Sequence, residues 1–127
     1  MIVMKELLIV DDHQGIRILL KEIFNKEGYL VHLATNGAEA ISIAESKEID
    51  CVILDMKIPD MDGLEIIRKI KAIKCDIPVI MMSGFSEQTV IREAIERGAS
   101  CFFTKPFNIH DLIDSVRNNV LIKSDMT

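Results

Sequence analysis

Short continuous apolar runs alternate along the chain with longer stretches in which apolar residues recur every three or four positions. The run LLIV at 7–10 is typical of a β-strand that is covered on both faces. The stretch after it has helical spacing, and Gly28 favours termination of that helix. We expect five of its residues to form the buried helix face: Ile16, Leu19, Leu20, Ile23 and Phe24.

The same two patterns recur four more times. Further strands are predicted over residues 30–34, 51–54, 79–82 and 101–103. Three helices are predicted to begin at capping residues: Asn36 with Glu39, Ser86 alone, and Asn108 with Asp111. These helices are predicted over 36–46, 86–97 and 108–121. A fourth carries Leu64, Ile67, Ile70 and Lys71, and the segment before it, which contains Pro59, is predicted to be a loop.

Five strand–helix units with short connections predict an α/β fold, a doubly wound five-stranded parallel sheet with helices on both faces. The sequence has no linker, internal repeat or low-complexity segment. Only six residues follow Leu121, which is too few for a second domain. We therefore expect one domain over 1–127 and no output domain.

Charge and composition exclude several classes of function. The net charge is −5 and basic residues are scattered, so no nucleic-acid surface is expected. The apolar runs are shorter than the ~20 residues that span a bilayer, so no membrane segment is expected. Three separated cysteines without a CxxC motif indicate a reduced, cytoplasmic protein. The three histidines show no paired-ligand spacing, so metal binding through His or Cys is not expected.

Carboxylate, hydroxyl or lysine side chains follow four of the five predicted strands. The carboxyl ends of parallel strands lie at one edge of a sheet. Carboxylates that lie close together repel one another unless a cation is present, and oxygen ligands favour Mg²⁺. A lysine and a hydroxyl suit the oxygens of a phosphoryl group, and a carboxylate can be its acceptor. The residues concerned are Asp11, Asp12, Asp55, Ser83 and Lys105.

This pattern indicates phosphoryl transfer onto Asp55, which we expect to emerge at the rim rather than to be a buried charge. Each element also has a simpler interpretation. Asp11 and Asp12 could form a solvated turn, and Lys105 and Ser83 could be ordinary loop residues without a catalytic role. Their joint placement at successive strand ends favours a site.

Four motifs resemble the receiver domain of bacterial two-component response regulators: IVDD (9–12), LDMKIPDMDG (54–63), MSG (82–84) and KPF (105–107). The resemblance covers nearly the whole chain. The stretch DDHQGIRILLKEIFNKEGY is more similar still to the stand-alone receiver of Bacillus-type sporulation phosphorelays. The resemblance implies the flavodoxin-like receiver fold with strand order 2-1-3-4-5.

The resemblance also implies roles for individual residues. Asp55 would be the phosphoacceptor, and Ser83 and Lys105 would bind the phosphoryl oxygens. Mg²⁺ or Mn²⁺ would be held by Asp12, Asp55 and the backbone carbonyl of Lys57, with Asp11 acting through water. Phe102 would occupy the switch position, and the Lys105–Pro106 peptide bond would be cis.

Two positions depart from the commonest family pattern. Ser83 stands where threonine is more frequent, and Phe102 lacks a hydroxyl, so a switch there would depend on packing. Lys57 and Phe85 flank the expected path of an attacking water, and neither is an acid or an amide that could orient it. We therefore predict a long-lived phosphoryl group.

Partners are implied by the same family. The chain would not be an enzyme on another substrate but would promote its own aspartyl phosphorylation from a histidine kinase, then relay the group to a histidine phosphotransferase, as a monomer. A docking patch would include Ile18, which lies off the apolar helix face, although an isolated exposed apolar residue is common. The other predicted docking residues are Gln14, Gly15, Ile16 and Pro106.

Two other functions compete with the relay. The first is a single-domain receiver of the chemotaxis type, whose phosphorylated form binds a target protein. The second is a flavodoxin-like cofactor binder, which the acids after the first strand disfavour because a phosphate loop would be rich in Ser, Thr and Gly.

Overall fold

A computed structural model describes residues 4–84 and 88–125, with the main chain alone from 122 onwards. Its strands are β1 (Glu6–Val10), β2 (Leu30–Ala34), β3 (Cys51–Asp55), β4 (Lys57–Ile58), β5 (Met61–Asp62), β6 (Val79–Ser83) and β7 (Ala99–Thr104). Five of them form a parallel sheet in the order β2-β1-β3-β6-β7. Because β4 and β5 form a separate pair, β6 and β7 are the fourth and fifth strands of this sheet. The predicted fold class and the strand order 2-1-3-4-5 are therefore confirmed.

Five helices connect the strands: α1 (Gln14–Lys26), α2 (Gly37–Ser46), α3 (Gly63–Ile73), α4 (Gln88–Glu96) and α5 (Ile109–Asp125). The last helix continues four residues beyond Leu121, where the sequence pattern predicted its end. Asn108 accepts hydrogen bonds from the backbone N–H groups of His110 and Asp111, which gives α5 its predicted start. Ser86, the predicted cap of α4, lies outside the described residues, as does Phe85.

Each face of the sheet has its own apolar core, because successive side chains of a strand point to opposite faces. Leu7 and Ile9 pack with Leu20 and Phe24 of α1 and with α5. On the other face, Leu8 and Val10 pack with the buried residues of α2, α3 and α4. Among the described residues no helix is both long and apolar enough to cross a membrane.

Two details of the fold correct the sequence-based predictions. Leu19, expected in the buried face of α1, is 52% exposed, because Leu20 and Phe24 occupy the side of the helix that faces the sheet. The predicted loop before α3 contains the antiparallel strand pair β4–β5. Asp60 at the turn of this hairpin accepts hydrogen bonds from the N–H groups of Gly37 and Ala38, which fixes the hairpin against the start of α2.

Candidate functional site

The carboxyl edge of the sheet brings together side chains from three strand ends. Val10 pairs with Leu54, so Asp11 and Asp55 follow on adjacent strands. The Nζ atom of Lys105, which follows β7, lies 3.1 Å from Asp11 Oδ2 and 3.1 Å from Asp55 Oδ2. One lysine therefore bridges two carboxylates at this edge.

Asp55 is buried, which contradicts the expectation that it emerges at the rim. Its side chain is 5% exposed and that of Asp11 is fully buried. Asp55 ends the central strand, and both of its oxygens have donors. Oδ1 accepts from the backbone N–H of Lys57 at 3.1 Å, and Oδ2 accepts from Lys105. These bonds offset the cost of removing the carboxylate from water.

Burial raises the pKa of Asp55 above that of an ordinary aspartate, and the neighbouring charge of Asp11 raises it further. The Lys57 N–H bond and Lys105 act in the opposite direction but do not cancel the effect of burial. For Lys105, burial lowers the pKa, but the charge of Asp11 and the bond to Asp55 reverse the effect and leave it raised. Lys105 therefore stays a cation at neutral pH.

The donor set at this edge fits a divalent cation. Ligand atoms of Asp11, Asp12, His13 and Asp55 all lie within 4.8 Å of one another. Asp12 is the more open carboxylate, with its side chain 35% exposed. Hard carboxylate oxygens, one of them open to solvent, suit a Mg²⁺ ion that keeps several waters.

His13 and Arg17 belong to this cluster and were missed from the sequence. His13 Nδ1 lies 3.1 Å from Asp11 Oδ1 and 3.1 Å from Asp12 Oδ1. Arg17 donates to the backbone carbonyl of Asp11 at 2.7 Å. His13 has no histidine partner at a metal-ligand spacing, but its position directly after two aspartates is a usable signal. Arg17 lies about one helical turn further on, which places it near the same acids.

The model of the response regulator receiver domain family matches residues 7–117. The chain belongs to this family. It is 47% identical to the sporulation initiation phosphotransferase F of Bacillus subtilis, over 95% of this chain and 98% of that protein. It is 37% identical to the transcriptional regulatory protein SrrA of Staphylococcus aureus over 88% of this chain, but spans only 46% of SrrA.

Solved structures agree with this assignment. A CheY-like receiver domain protein from Methanospirillum hungatei superimposes with a TM-score of 0.94 at 27% identity, covering 98% of this chain and all of that one. A receiver domain from Clostridium thermocellum gives a TM-score of 0.91 at 28% identity, again covering 98% of this chain and all of that one. The chain is thus a receiver domain, a module of phosphorelay signalling that accepts a phosphoryl group on an aspartate.

Two more predicted residues of the receiver site lie on the neighbouring strands. Ser83 ends β6, is 1% exposed, and its carbonyl accepts from the backbone N–H of Lys105 at 2.7 Å. Phe102 on β7 is half-buried and packs against the core shared with α2, α3 and α4. The Lys105–Pro106 peptide bond is cis, as predicted.

Beside the receiver site, an apolar groove of about 610 Å³ runs between α1 and the loop from β7 to α5. Two predicted docking residues, Ile16 and Pro106, line it. Gln14, Gly15 and Ile18 are exposed on the same helix. Lys105, predicted from the sequence as a phosphoryl-binding residue, also lines the groove. The remaining lining residues were not predicted as part of any site: Leu19, Ile23, Phe107 and Ile109.

Proposed function

We propose that this chain is a phosphorelay receiver that takes a phosphoryl group from the phosphohistidine of a kinase onto Asp55 and passes it to a histidine phosphotransferase. The bridge from Lys105 to Asp11 and Asp55, at 3.1 Å each, carries the assignment of Asp55. The near full-length similarity to a sporulation initiation phosphotransferase supports the relay role. We still predict that the protein is cytoplasmic and monomeric and that it binds no nucleic acid.

In the proposed reaction an oxygen of Asp55 attacks the phosphorus atom as the phosphorus–nitrogen bond to the donor imidazole breaks. Lys105 neutralises charge on the transferred group, and the Ser83 hydroxyl donates to one of its oxygens. A carboxylate nucleophile needs no general base. Mg²⁺ or Mn²⁺ bound by Asp11, Asp12, Asp55 and the Lys57 carbonyl would supply further positive charge to the phosphoryl oxygens.

The fixed position of Lys105 matters for this step. Its backbone N–H donates to the Ser83 carbonyl, and its side chain donates to Asp11 and Asp55, so its charge is held between two strand ends. A charge that is positioned in advance costs little reorganisation during the reaction. The same residue that makes the buried Asp55 tolerable would therefore stabilise the transferred phosphoryl group.

The groove beside α1 suits a helical partner. Its lining is almost wholly apolar, Leu19 is half-exposed at it, and the charged group of Lys105 marks the end nearest Asp55. An amphipathic helix binds such a groove through apolar residues spaced three or four positions apart. A helix that carries the donor or acceptor histidine would thereby bring it next to Asp55.

Intact-mass measurement after incubation with acetyl phosphate and Mg²⁺ tests the central claim. We expect a gain of one phosphate in the wild type and in Asp76→Ala, an exposed aspartate outside the site, and none in Asp55→Ala. A gain in all three proteins, or in none, would contradict phosphorylation of Asp55.

A second function, direct regulation of a target protein by the phosphorylated form, is favoured by one observation. Ile95 on α4 is 45% exposed, and Phe102 on the adjacent strand is only half-buried. This surface is separate from the α1 groove. Phosphorylation-dependent binding of a target without onward transfer to a histidine would favour this function over the relay.

A further inference from the structure

The β4–β5 hairpin is fixed by hydrogen bonds at both of its ends. Its base is closed by the Gly63 N–H, which donates to the Met56 carbonyl at 3.2 Å. At its turn, Asp60 accepts from the Gly37 N–H at 2.7 Å through Oδ1 and from the Ala38 N–H at 3.1 Å through Oδ2. Both carboxylate oxygens of this exposed side chain are therefore bonded to the start of α2.

Apolar contacts hold the hairpin in the same place. Ile58 of β4 is only 8% exposed and belongs to the core that contains Ala40 of α2. A Cβ atom at Gly37 would lie 2.9 Å from Met61 Cβ of β5, so the glycine permits a close approach that alanine would not. Apolar contacts have little direction, whereas two hydrogen bonds to one carboxylate define an orientation. The orientation of the hairpin therefore depends on Asp60.

The hairpin also carries an N–H group that orients the acceptor carboxylate. Lys57, at the start of β4, donates its backbone N–H to Asp55 Oδ1 at 3.1 Å. The other oxygen, Oδ2, accepts from Lys105 at 3.1 Å. Because each oxygen has its own donor, the plane of the carboxylate is set by where both donors lie. A change in the orientation of the hairpin moves one of these donors, since β4 and β5 are paired.

We propose that Asp60 is a positioning residue for phosphorylation: by bonding the hairpin to α2, it keeps the Lys57 N–H in the position that orients Asp55 for attack. Reaction rates depend steeply on such orientation, and a misplacement of about 1 Å can cost on the order of 10²-fold. The Asp60 carboxylate is bonded to α2, so its effect reaches the reaction through Lys57. The expected effect on the rate rests on the proposed phosphorylation of Asp55, whereas the expected effect on the Lys57 N–H does not.

Amide hydrogen exchange, measured by NMR on the full chain, tests the first step. Asp60→Ala removes both acceptors at α2, and we expect the Lys57 N–H to exchange about tenfold faster, as for the loss of a hydrogen bond to a charged group. The Met56 N–H, which donates to the Met82 carbonyl at 2.9 Å, should exchange as in the wild type. Asp60→Asn keeps one acceptor oxygen, so its effect should be intermediate.

Asn36→Ala is the matched control. Asn36 accepts from the Glu39 N–H at 2.9 Å, so this substitution removes a cap of the same helix but leaves the bonds of Asp60 in place. Exchange of the Lys57 N–H should stay within about twofold of the wild-type rate. The pair of variants thus separates weakening of α2 from release of the hairpin.

The rate of labelling by acetyl phosphate with excess Mg²⁺ tests the second step, at a temperature where circular dichroism shows every variant to be folded. We expect Asp60→Ala to lower the maximal rate about tenfold. The acetyl phosphate concentration that gives half of this rate should not change, because Asp60 orients the acceptor and does not bind the donor. Asp60→Asn should be intermediate, and Asn36→Ala should match the wild type.

Two results would overturn the proposal. One is an unchanged exchange rate of the Lys57 N–H in Asp60→Ala. The other is equal slowing of labelling in Asp60→Ala and Asn36→Ala, which would show a general effect of weakening α2. A wild type that is not labelled at all would contradict the proposed function instead, and exchange of the Lys57 N–H would still decide whether Asp60 positions the hairpin.

Discussion

At the scale of single residues, Asp55 shows how a functional site costs stability. Its carboxylate is buried beside a second buried acid, Asp11, and the single cation of Lys105 contacts both. Burial raises the pKa of Asp55, which means that the fold favours its protonated form more than the unfolded chain does. A neutral side chain of the same shape should therefore fit this position better.

We expect Asp55→Asn to raise the free energy of unfolding at pH 7 by about 1–2 kcal/mol in the presence of a chelator. The native state of the wild type binds the Asp55 proton more tightly, so its stability falls as pH rises from the ordinary aspartate pKa through the raised one. The advantage of the variant should therefore shrink on acidification below the raised pKa. Urea denaturation at several pH values measures it.

Two controls accompany this prediction. Asp76→Asn, at an exposed position, should change the unfolding free energy little at any pH. Added Mg²⁺ should stabilise the wild type more than the variant, since it binds the folded state. A variant that is less stable than the wild type at pH 7 would show that the Lys105 bridge outweighs the cost of burial.

Lys57 is the residue at which the lifetime of the phosphoryl group can be examined. It is exposed, and its backbone N–H is bonded to Asp55 Oδ1, so its side chain starts close to the acceptor. An amide at this position could orient an attacking water, which a lysine does poorly. We expect Lys57→Asn to shorten the lifetime of the aspartyl phosphate about tenfold, less than the roughly 10²–10⁴-fold of full general acid–base catalysis because an amide would only orient the water.

Decay of the labelled protein after removal of the donor measures this lifetime. Lys26→Asn, on the exposed side of α1, is the control and should decay like the wild type. Loss of the wild-type phosphoryl group within seconds, at the same rate as in Lys57→Asn, would contradict the prediction of a long-lived group.

At the scale of elements, the β4–β5 hairpin links the site loop to α2. Asp60 accepts from two N–H groups at the start of α2, at 2.7 Å from Gly37 and 3.1 Å from Ala38. Asn36 caps the same helix by accepting from the N–H of Glu39. Glu39 accepts from Thr35 rather than from Asn36, so the predicted capping box is displaced by one residue. Asp60 supplies the additional acceptors that α2 needs.

Two glycine-to-alanine substitutions test how tightly this hairpin packs. A Cβ atom at Gly37 would lie 2.9 Å from Met61 Cβ and 3.3 Å from Asp60 Oδ1, so Gly37→Ala should destabilise by about 1–3 kcal/mol. A Cβ at Gly15 would meet no atom within 4 Å, so Gly15→Ala in α1 should stabilise by about 0.5 kcal/mol. Thermal unfolding compares the two, and equal effects would contradict the tight contact at α2.

At the scale of the whole molecule, two exposed apolar surfaces would distinguish the proposed relay function from the alternative target-binding function. Leu19 is 52% exposed at the groove and Ile18 is 55% exposed on the same helix, whereas Ile95 is 45% exposed on α4. A charge in a helix-binding groove disrupts docking, while small phosphate donors need no docking surface.

We expect Leu19→Asp and Ile18→Asp to slow phosphotransfer from a histidine phosphotransferase at least tenfold, as hot-spot substitutions do, and Ile95→Asp to leave it unchanged. Labelling by acetyl phosphate should be unaffected in all three variants, which controls for folding of the site. A slower transfer in Ile95→Asp alone would place the partner on α4 and contradict docking at the groove.

The fold class and the type of chemistry could be predicted from the amino-acid sequence alone. Strict alternation of apolar runs with helical periodicity allows few arrangements other than a doubly wound parallel sheet. In such a sheet the carboxyl ends of β1, β3, β6 and β7 lie at one edge, so the sequence already groups Asp11, Asp55 and Lys105 there.

Which of these groups are buried, and which residues surround them, depends on how the elements pack in three dimensions. Asp55 is buried and contacts Lys105, which is 50 residues away in the sequence. The side-chain direction of His13 and the exposure of Leu19 depend on how α1 lies against the sheet and the β7–α5 loop. Periodicity describes one element at a time, whereas burial, pKa and ligand geometry arise where several elements meet.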